Sequence, residues 1–247
     1  MYVNINMNKR LRVFQLFKNQ FLLIRHAESI YNKRDKFTGW TNIPLSENGI
    51  NESKKIGNKI KELGYKPTII FSSVLKRSID TSQIIKDVLN NNVEMHTSWR
   101  LNEKHYGTLE GLDRQFIYKN YGDKFTDLIR NDFHAKPPVV KGIDVYEEYP
   151  VYRNCYIEKL KYGESKENVL ARLLPYFEND ILSTLHENNL PLIVTHKHCA
   201  RVLLKHLQNI PDHEFDQLQF PSKKICLVDL DPDFKYNYHR FYDYMDK

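Results

Sequence analysis

Short apolar runs alternate with longer amphipathic stretches along this chain, and the alternation sets the expected fold. Phe21-Leu22-Leu23-Ile24 is a continuous apolar run of the kind buried on both faces of a parallel sheet. Thr68–Phe71, Val93–Thr97, Leu192–Val194 and Ile225–Asp229 read as further strands, the last of them the final strand expected. Between them the apolar residues fall at helical spacing. Glu47–Leu63 places Ile56, Ile60 and Leu63 on one face, with Ser46 as cap and Gly64 as stop. Lys76–Leu89 is a second helix burying Ile84, Ile85, Val88 and Leu89. A long helix over Lys166–His186 carries Leu170, Leu173, Leu174, Phe177, Ile181 and Leu185, and another spans Cys199–Leu207. Repeated strand–helix–strand units predict an α/β fold, a three-layer sandwich with a mostly parallel central sheet flanked by helices.

Residues 111–163 break this rhythm. They are rich in Tyr and charge, contain Pro137-Pro138, and read as a cap insertion over the carboxyl ends of the strands, where ligands bind. The insertion belongs to one domain spanning residues 21–247. Residues 1–20 hold Lys9, Arg10, Arg12 and Lys18 and no acid, and read as a basic N-terminal extension. A targeting segment is the alternative; the short apolar stretches and the lack of a small-residue cleavage site disfavour it. The aromatic tail, Asp231–Lys247, is either a lid or a plain strand and loop.

Composition narrows the partners. No apolar run in the 247 residues approaches the length of about 20 needed to cross a bilayer, so no membrane is expected. The net charge of +6 favours anionic partners. Lysines alternate with acids along Asn51–Leu63, which describes a solvated face and argues against nucleic acid. Cys155, Cys199 and Cys226 are widely spaced, matching neither a disulfide framework nor a zinc pattern, and fit a reducing, cytoplasmic setting.

Two predicted strands end in histidine, at Ile24-Arg25-His26 and Val194-Thr195-His196, and in a parallel sheet both would emerge at one edge. Neutral imidazole is a competent nucleophile toward phosphorus near pH 7, and a covalent intermediate splits one transfer into two easier steps. Each histidine taken alone reads more often as structural. Cations beside them change that balance, because phosphoryl transfer needs positive charge around the equatorial oxygens. Arg25 adjoins His26, and Arg77 opens the helix after the second strand. Glu103, after the third strand, is a candidate proton donor and acceptor, or else an ordinary salt-bridge partner.

The run Leu23-Ile24-Arg25-His26-Ala27-Glu28-Ser29, with Asn32, resembles the phosphohistidine signature of the histidine-phosphatase superfamily. Phe37-Thr38-Gly39-Trp40, Leu45–Gly49, Ser73–Ile79, Trp99–Gly107, Gly163-Glu164-Ser165 and Arg201–Leu207 are similar, in order, to the cofactor-dependent phosphoglycerate mutases. The resemblance runs from about residue 21 to 231. It implies His26 as the phosphorylated nucleophile, Arg25, Arg77 and His196 around the phosphoryl group, and Glu103 as acid and base. Ser29, Asn32, Thr38, Gly39, Tyr106, Arg114, Arg130, Asn131, Lys197 and His198 would contact substrate. It further implies interconversion of 3-phosphoglycerate and 2-phosphoglycerate in glycolysis and gluconeogenesis, priming by 2,3-bisphosphoglycerate, no metal, and a possible homodimer or homotetramer. A bisphosphoglycerate synthase or phosphatase, or a degenerate binding homologue, is the alternative; Arg114 matches the synthase branch, whereas Ser29 and Gly39 match the mutases.

Four departures stand out. Ala27 replaces glycine after the nucleophile, and Asn131 replaces the second of paired arginines. Lys197-His198 replaces Gly-Asn, and the C-terminal tail is short. Lysine at 197 would be strained if the backbone there needed a positive φ. Its ammonium would either supply the missing charge or block the site. His196-Lys197-His198 also invites reading as a metal pair, but no carboxylate or cysteine cluster accompanies it.

Overall fold

The structure, a computed structural model, describes residues 19–90, 92–139, 163–185 and 189–245. The strands are β1 Asn19–Arg25, β2 Ile69–Ser72, β3 Glu94–Thr97, β4 Pro191–Thr195, β5 Lys224–Leu230 and β6 Tyr236–Asp243. The helices are α1 Ile30–Lys33, α2 Glu47–Glu62, α3 Lys76–Leu89, α4 Arg114–Asn131, α5 Lys166–Tyr176 and α6 Lys197–Leu207. The strands form one sheet in the order β3-β2-β4-β1-β5-β6. β1 to β4 run parallel, whereas β5 pairs antiparallel with β1 and β6 antiparallel with β5. The result is the expected α/β sandwich with a mixed, mostly parallel sheet.

Both faces of the sheet are covered, which explains its unbroken apolar runs. Phe21, Leu23, Ile193, Cys226 and Val228 pack with α5 and α6 on one side. Leu22, Ile24, Leu192, Val194, Ile225 and Leu227 pack with α2 and α3 on the other. Truncating any of these fully buried aliphatics to Ala would cost about 2–5 kcal/mol. Ser46 caps α2 by accepting the Gly49 N–H at 3.0 Å, and Gly64 takes the positive φ of +77° that ends it. α2 lies tightly against α3, so Ile84 and Val88 are only half-buried while Ile85 and Leu89 are buried. A Cβ on Gly57 would meet Val88 Cγ1 at 2.7 Å.

Two expectations need amending. The last strand is β6, not β5: Asp231 accepts the N–H groups of Asp233 and Lys235, turning the chain back so that the aromatic tail becomes an edge strand. The tail is therefore strand as far as Asp243, with Tyr244 and Met245 in a bend beyond it. α6 begins at Lys197, two residues before the predicted start, because His196 is already its N-cap. The long helix is helical as expected through Leu185, passing Pro175 by widening into a π turn over Phe177–Ile181 and continuing over Leu182–Leu185; His186 lies outside the described residues. The N-terminal extension to residue 18, Cys155 and residues 140–162 of the insertion lie outside the described residues.

Candidate active site

Pairing fixes the centre of the site. Arg25 of β1 lies opposite Thr195 of β4, so the residues that follow leave the sheet side by side. The His26 N–H donates to the Thr195 carbonyl at 2.8 Å, and the His26 and His196 rings stand 4.8 Å apart. His26 Nδ1 is 2.7 Å from the Ala27 carbonyl, which can only accept. That bond places the ring proton on Nδ1 and leaves the Nε2 lone pair facing Arg77. Burial, followed by the charges of Arg77 and Arg25, holds His26 well below its ordinary pKa of 6.5, so it is neutral.

Arg77 organises this corner from the start of α3. Its Nε donates to His26 Nε2 at 3.1 Å, while Nη2 donates to the Gly39 carbonyl at 2.7 Å and to His196 Nδ1 at 3.3 Å. Nη1 donates to the Thr41 carbonyl at 3.0 Å. His196 Nε2 then donates to Ser73 Oγ at 2.7 Å. Burial, then Arg77, keeps His196 neutral as well.

His26 opens onto a cavity of about 240 Å³, small enough for a compact metabolite rather than a drug-sized ligand. Its walls bring together Arg25, Asn32, Thr38, Gly39, Arg77, Glu103, Tyr106, Arg114, Arg130, Asn131, Lys197 and His198. Phe37 and Ser222 complete the lining; nothing in its local pattern marked Ser222 as a candidate. Two expected contacts stand behind the wall instead. Ser29 is fully buried and exchanges capping hydrogen bonds with Asn32, so it positions Asn32 rather than touching the cavity. His196 is also fully buried and meets Arg77 and Ser73.

Glu103 reaches the cavity from the loop after β3. Its Oε1 accepts the N–H groups of Lys104 (2.9 Å) and of His198 (3.2 Å) in the first turn of α6. Buried Arg172 of α5 holds that loop from behind, donating to the carbonyls of Arg100, Asn102 and Glu103 and pairing with Glu164 at 2.7 Å. Glu110 does the same for the opposite wall: its carboxylate accepts the N–H groups of Trp40, Thr41 and Tyr106. Gly39 has φ +50°, and a Cβ there would lie 1.8 Å from Glu110 Oε1, so the wall requires glycine. Neither Arg172 nor Glu110 was picked out by sequence, because their partners are carbonyls and amides of distant segments.

Among the described residues, three buried polar atoms of the lining side chains have no partner: Arg25 Nε, Thr38 Oγ1 and His198 Nδ1. Buried polar groups are nearly always paired, so each of these has bonding capacity to spare. The departures also resolve. Ala27 and Lys197 both avoid the left-handed region. Ala27 is buried with its N–H on Thr81 Oγ1, and Lys197 is the first residue of α6. The Lys197 ammonium lines the cavity with Arg130 and Asn131, and burial, then the charges of Arg201, Arg25 and Arg130, lowers its pKa. His196 and His198 face different partners, His198 Nε2 meeting the Tyr106 hydroxyl at 2.7 Å, and no group of three metal-ligating side chains occurs among the described residues.

Known proteins share this fold. A mycobacterial glucosyl-3-phosphoglycerate phosphatase superposes with a TM-score of 0.67 at 20% identity, over 91% of this chain and 97% of that one. A structure titled Mycobacterial hydrolase 1 gives a TM-score of 0.70 at 19% identity over the same shares. At such identities the likeness is one of fold. In sequence, the 2,3-bisphosphoglycerate-dependent phosphoglycerate mutase of Buchnera aphidicola subsp. Schizaphis graminum is 35% identical over 87% of this chain and 95% of its own length. The like-named protein of Parabacteroides distasonis is 34% identical over 87% and 88%. The family model described as Histidine phosphatase superfamily (branch 1) matches residues 21–240, and the chain belongs to that superfamily.

Proposed function

We propose that this chain is a 2,3-bisphosphoglycerate-dependent phosphoglycerate mutase, a cytoplasmic enzyme of glycolysis and gluconeogenesis that carries a phosphoryl group on His26. One observation supports this above the others. The neutral His26 ring stands at the edge of a small cavity lined by Arg25, Arg77, Arg114, Arg130 and Lys197 against the Glu103 carboxylate, the one acid among the described lining residues. Such an excess of cations suits a three-carbon acid bearing phosphate, whose carboxylate and phosphate lie at opposite ends. The unpartnered Arg25 Nε, Thr38 Oγ1 and His198 Nδ1 fit a polyanion such as the primer, which supplies the phosphoryl group that loads the histidine.

The residues divide the work. Once the primer has loaded His26, the free hydroxyl of 3-phosphoglycerate attacks the phosphohistidine as the N–P bond breaks, and its proton passes to the Glu103 carboxylate, whose Oε1 is held by two backbone N–H groups. After the doubly phosphorylated product turns round, His26 Nε2 attacks its other phosphorus as the bond to the leaving oxygen breaks, Arg77 swings its Nε–H from Nε2 to the phosphoryl oxygens, and Glu103 returns the proton to that oxygen. Asn32 and Thr38 flank the phosphoryl end. Arg114, Arg130, Asn131 and Lys197 hold the remainder of the substrate so that it turns around without leaving.

Asn131 favours a second reading, phosphatase activity, because a looser grip lets water compete for the phosphohistidine. The test is conversion of 3-phosphoglycerate with and without 2,3-bisphosphoglycerate, with released phosphate measured alongside. Isomerisation that the primer stimulates and that outruns phosphate release supports the mutase. Phosphate release exceeding isomerisation supports the phosphatase, and neither activity sinks both.

A further inference from the structure

Arg130 and Asn131 end α4, and the turn that follows them is held by two lysines whose ammonium groups never reach solvent. Lys104, next to Glu103, and Lys166, the first residue of α5, are both completely buried. Lys104 Nζ donates to the carbonyls of Ile129 (2.8 Å) and Ala135 (3.3 Å). Lys166 Nζ donates to the same Ile129 carbonyl (3.1 Å) and to that of Asp132 (2.6 Å). The backbone N–H groups of Lys166 and Glu167 close the set on the Phe133 carbonyl, at 3.1 and 3.2 Å. The carbonyls of Ile129 and Asp132 bracket residues 130 and 131, so this clasp fixes where those two side chains leave the backbone.

Both amino groups therefore converge on one carbonyl oxygen, that of Ile129. An ammonium offers three N–H donors; a neutral amine offers two. With Lys166 neutral, its two N–H groups match its two acceptors, Ile129 and Asp132, while a charged Lys104 serves Ile129 and Ala135. A second proton gives Lys166 a donor more than its acceptors and sets two like charges against one carbonyl.

We propose that Lys104 and Lys166 are positioning residues that share a single proton while holding the 129–135 turn, and that this clasp sets the strength with which Arg130 and Asn131 grip substrate. It rests on the reading of those two residues as part of the substrate grip. Burial lowers Lys104 to about 8, with Glu164 and Glu103 opposing, and lowers Lys166 to about 6, with the charges of Lys104 and Arg201 adding. The other groups facing the pair are Asp132 on the turn, His198 and Arg201 on α6, and the Tyr106 ring, 5.3 Å from Lys104 Nζ. Glu164 is engaged by Arg172 and Glu103 by backbone N–H groups, so neither carboxylate salt-bridges the clasp. As pH falls through about 6 the second proton arrives and the turn loosens; as it rises through about 8 the first is lost.

The test is the affinity of the full chain for 3-phosphoglycerate by titration calorimetry between about pH 5.5 and 8.5, with KM and kcat alongside. Wild type should bind best near neutrality. Lys166→Met should raise Kd and KM by about tenfold, a difference of roughly 1.4 kcal/mol, more than it lowers kcat. Lys166→Gln keeps two N–H donors and an acceptor but takes no proton. It should bind like wild type at neutral pH and lose the acid weakening, judged against wild type because the substrate phosphate titrates equally for both. Nitrogen-15 lysine spectra of the substrate-free protein at pH 7 should show one neutral buried amine, a readout that needs no activity and survives if Lys166→Met does not fold. Two buried ammonium groups in those spectra, or an unchanged pH profile in Lys166→Gln, overturn the clasp while substrate binding by wild type keeps the mutase reading intact. A wild-type chain that binds no 3-phosphoglycerate at any pH removes both.

Discussion

At the phosphoryl end of the cavity, His26 follows a central strand and Arg77 opens a helix packed on the sheet, and each bonds backbone carbonyls of the loops beside them, Ala27 for His26, Gly39 and Thr41 for Arg77. At the far end, Arg114, Arg130 and Asn131 ride on α4, which breaks at Gly122 (φ +81°) and packs through Ile117 and Ile129 on a small cluster with Phe37, Tyr106 and Leu109. There Arg130 bonds Tyr118 across the break and Arg114 pairs with Asp35, half in solvent. Chemistry is thus placed at the edge of the central sheet and most of the substrate grip on a separately attached helix. A bond to be made and broken tolerates little positional error, whereas a substrate that must reorient between two transfers needs a wall with some give.

Replacing His26 with Ala should test the sheet-edge half most severely. Turnover should fall by at least about 10⁴-fold, as when other covalent nucleophiles are removed, and no phosphoprotein should form with 2,3-bisphosphoglycerate. Retained isomerisation would end the phosphohistidine mechanism. Glu103→Gln should lower kcat by about 10²–10⁴-fold with a smaller change in KM, since it removes a proton carrier and leaves the cations in place. A KM effect as large as the kcat effect would move Glu103 into the grip instead.

Acid tells the halves apart through stability. His26, His196 and His198 are all held neutral below the ordinary value of 6.5. The unfolded chain therefore binds more protons below that pH, and stability falls as pH drops through 6.5 toward the lowered folded values. Each histidine should contribute a slope of about 1.4 kcal/mol per pH unit in that window. Chemical denaturation between pH 7 and 5 should show the combined slope, and His26→Ala should remove one share of it. The smallest effect belongs to the far end: Asn131→Arg should lower KM for 3-phosphoglycerate about tenfold, the worth of one charged hydrogen bond. It should also reduce phosphate release relative to isomerisation. No change in either would mean that Lys197 already supplies the charge.

The sheet-edge half was legible in the sequence because strand-end histidines and a helix-opening arginine obey local rules. Apolar runs fix the strands, parallel pairing fixes the edge, and the side chains at that edge follow. The supporting residues were not legible. Lys104 and Lys166 sit in polar surroundings that read as surface, yet both are buried, because their partners are carbonyls at the end of a helix far along the chain. Ser29 looked like a substrate contact because it belongs to the same motif as Asn32, and only the local capping geometry separates their jobs. The tail stayed open between lid and strand because an edge strand with Tyr238 and other residues half in solvent lacks the buried run that marked the rest.

The hydrogen bond from Arg77 Nε to His26 Nε2 has a chemical corollary. Until a phosphoryl group arrives, the lone pair that reacts is occupied by a guanidinium that repels further protons and shields it sterically. Alkylating or acylating reagents without an anionic group should therefore spare this imidazole, while phosphate-like electrophiles, which draw the guanidinium onto themselves, should uncover it.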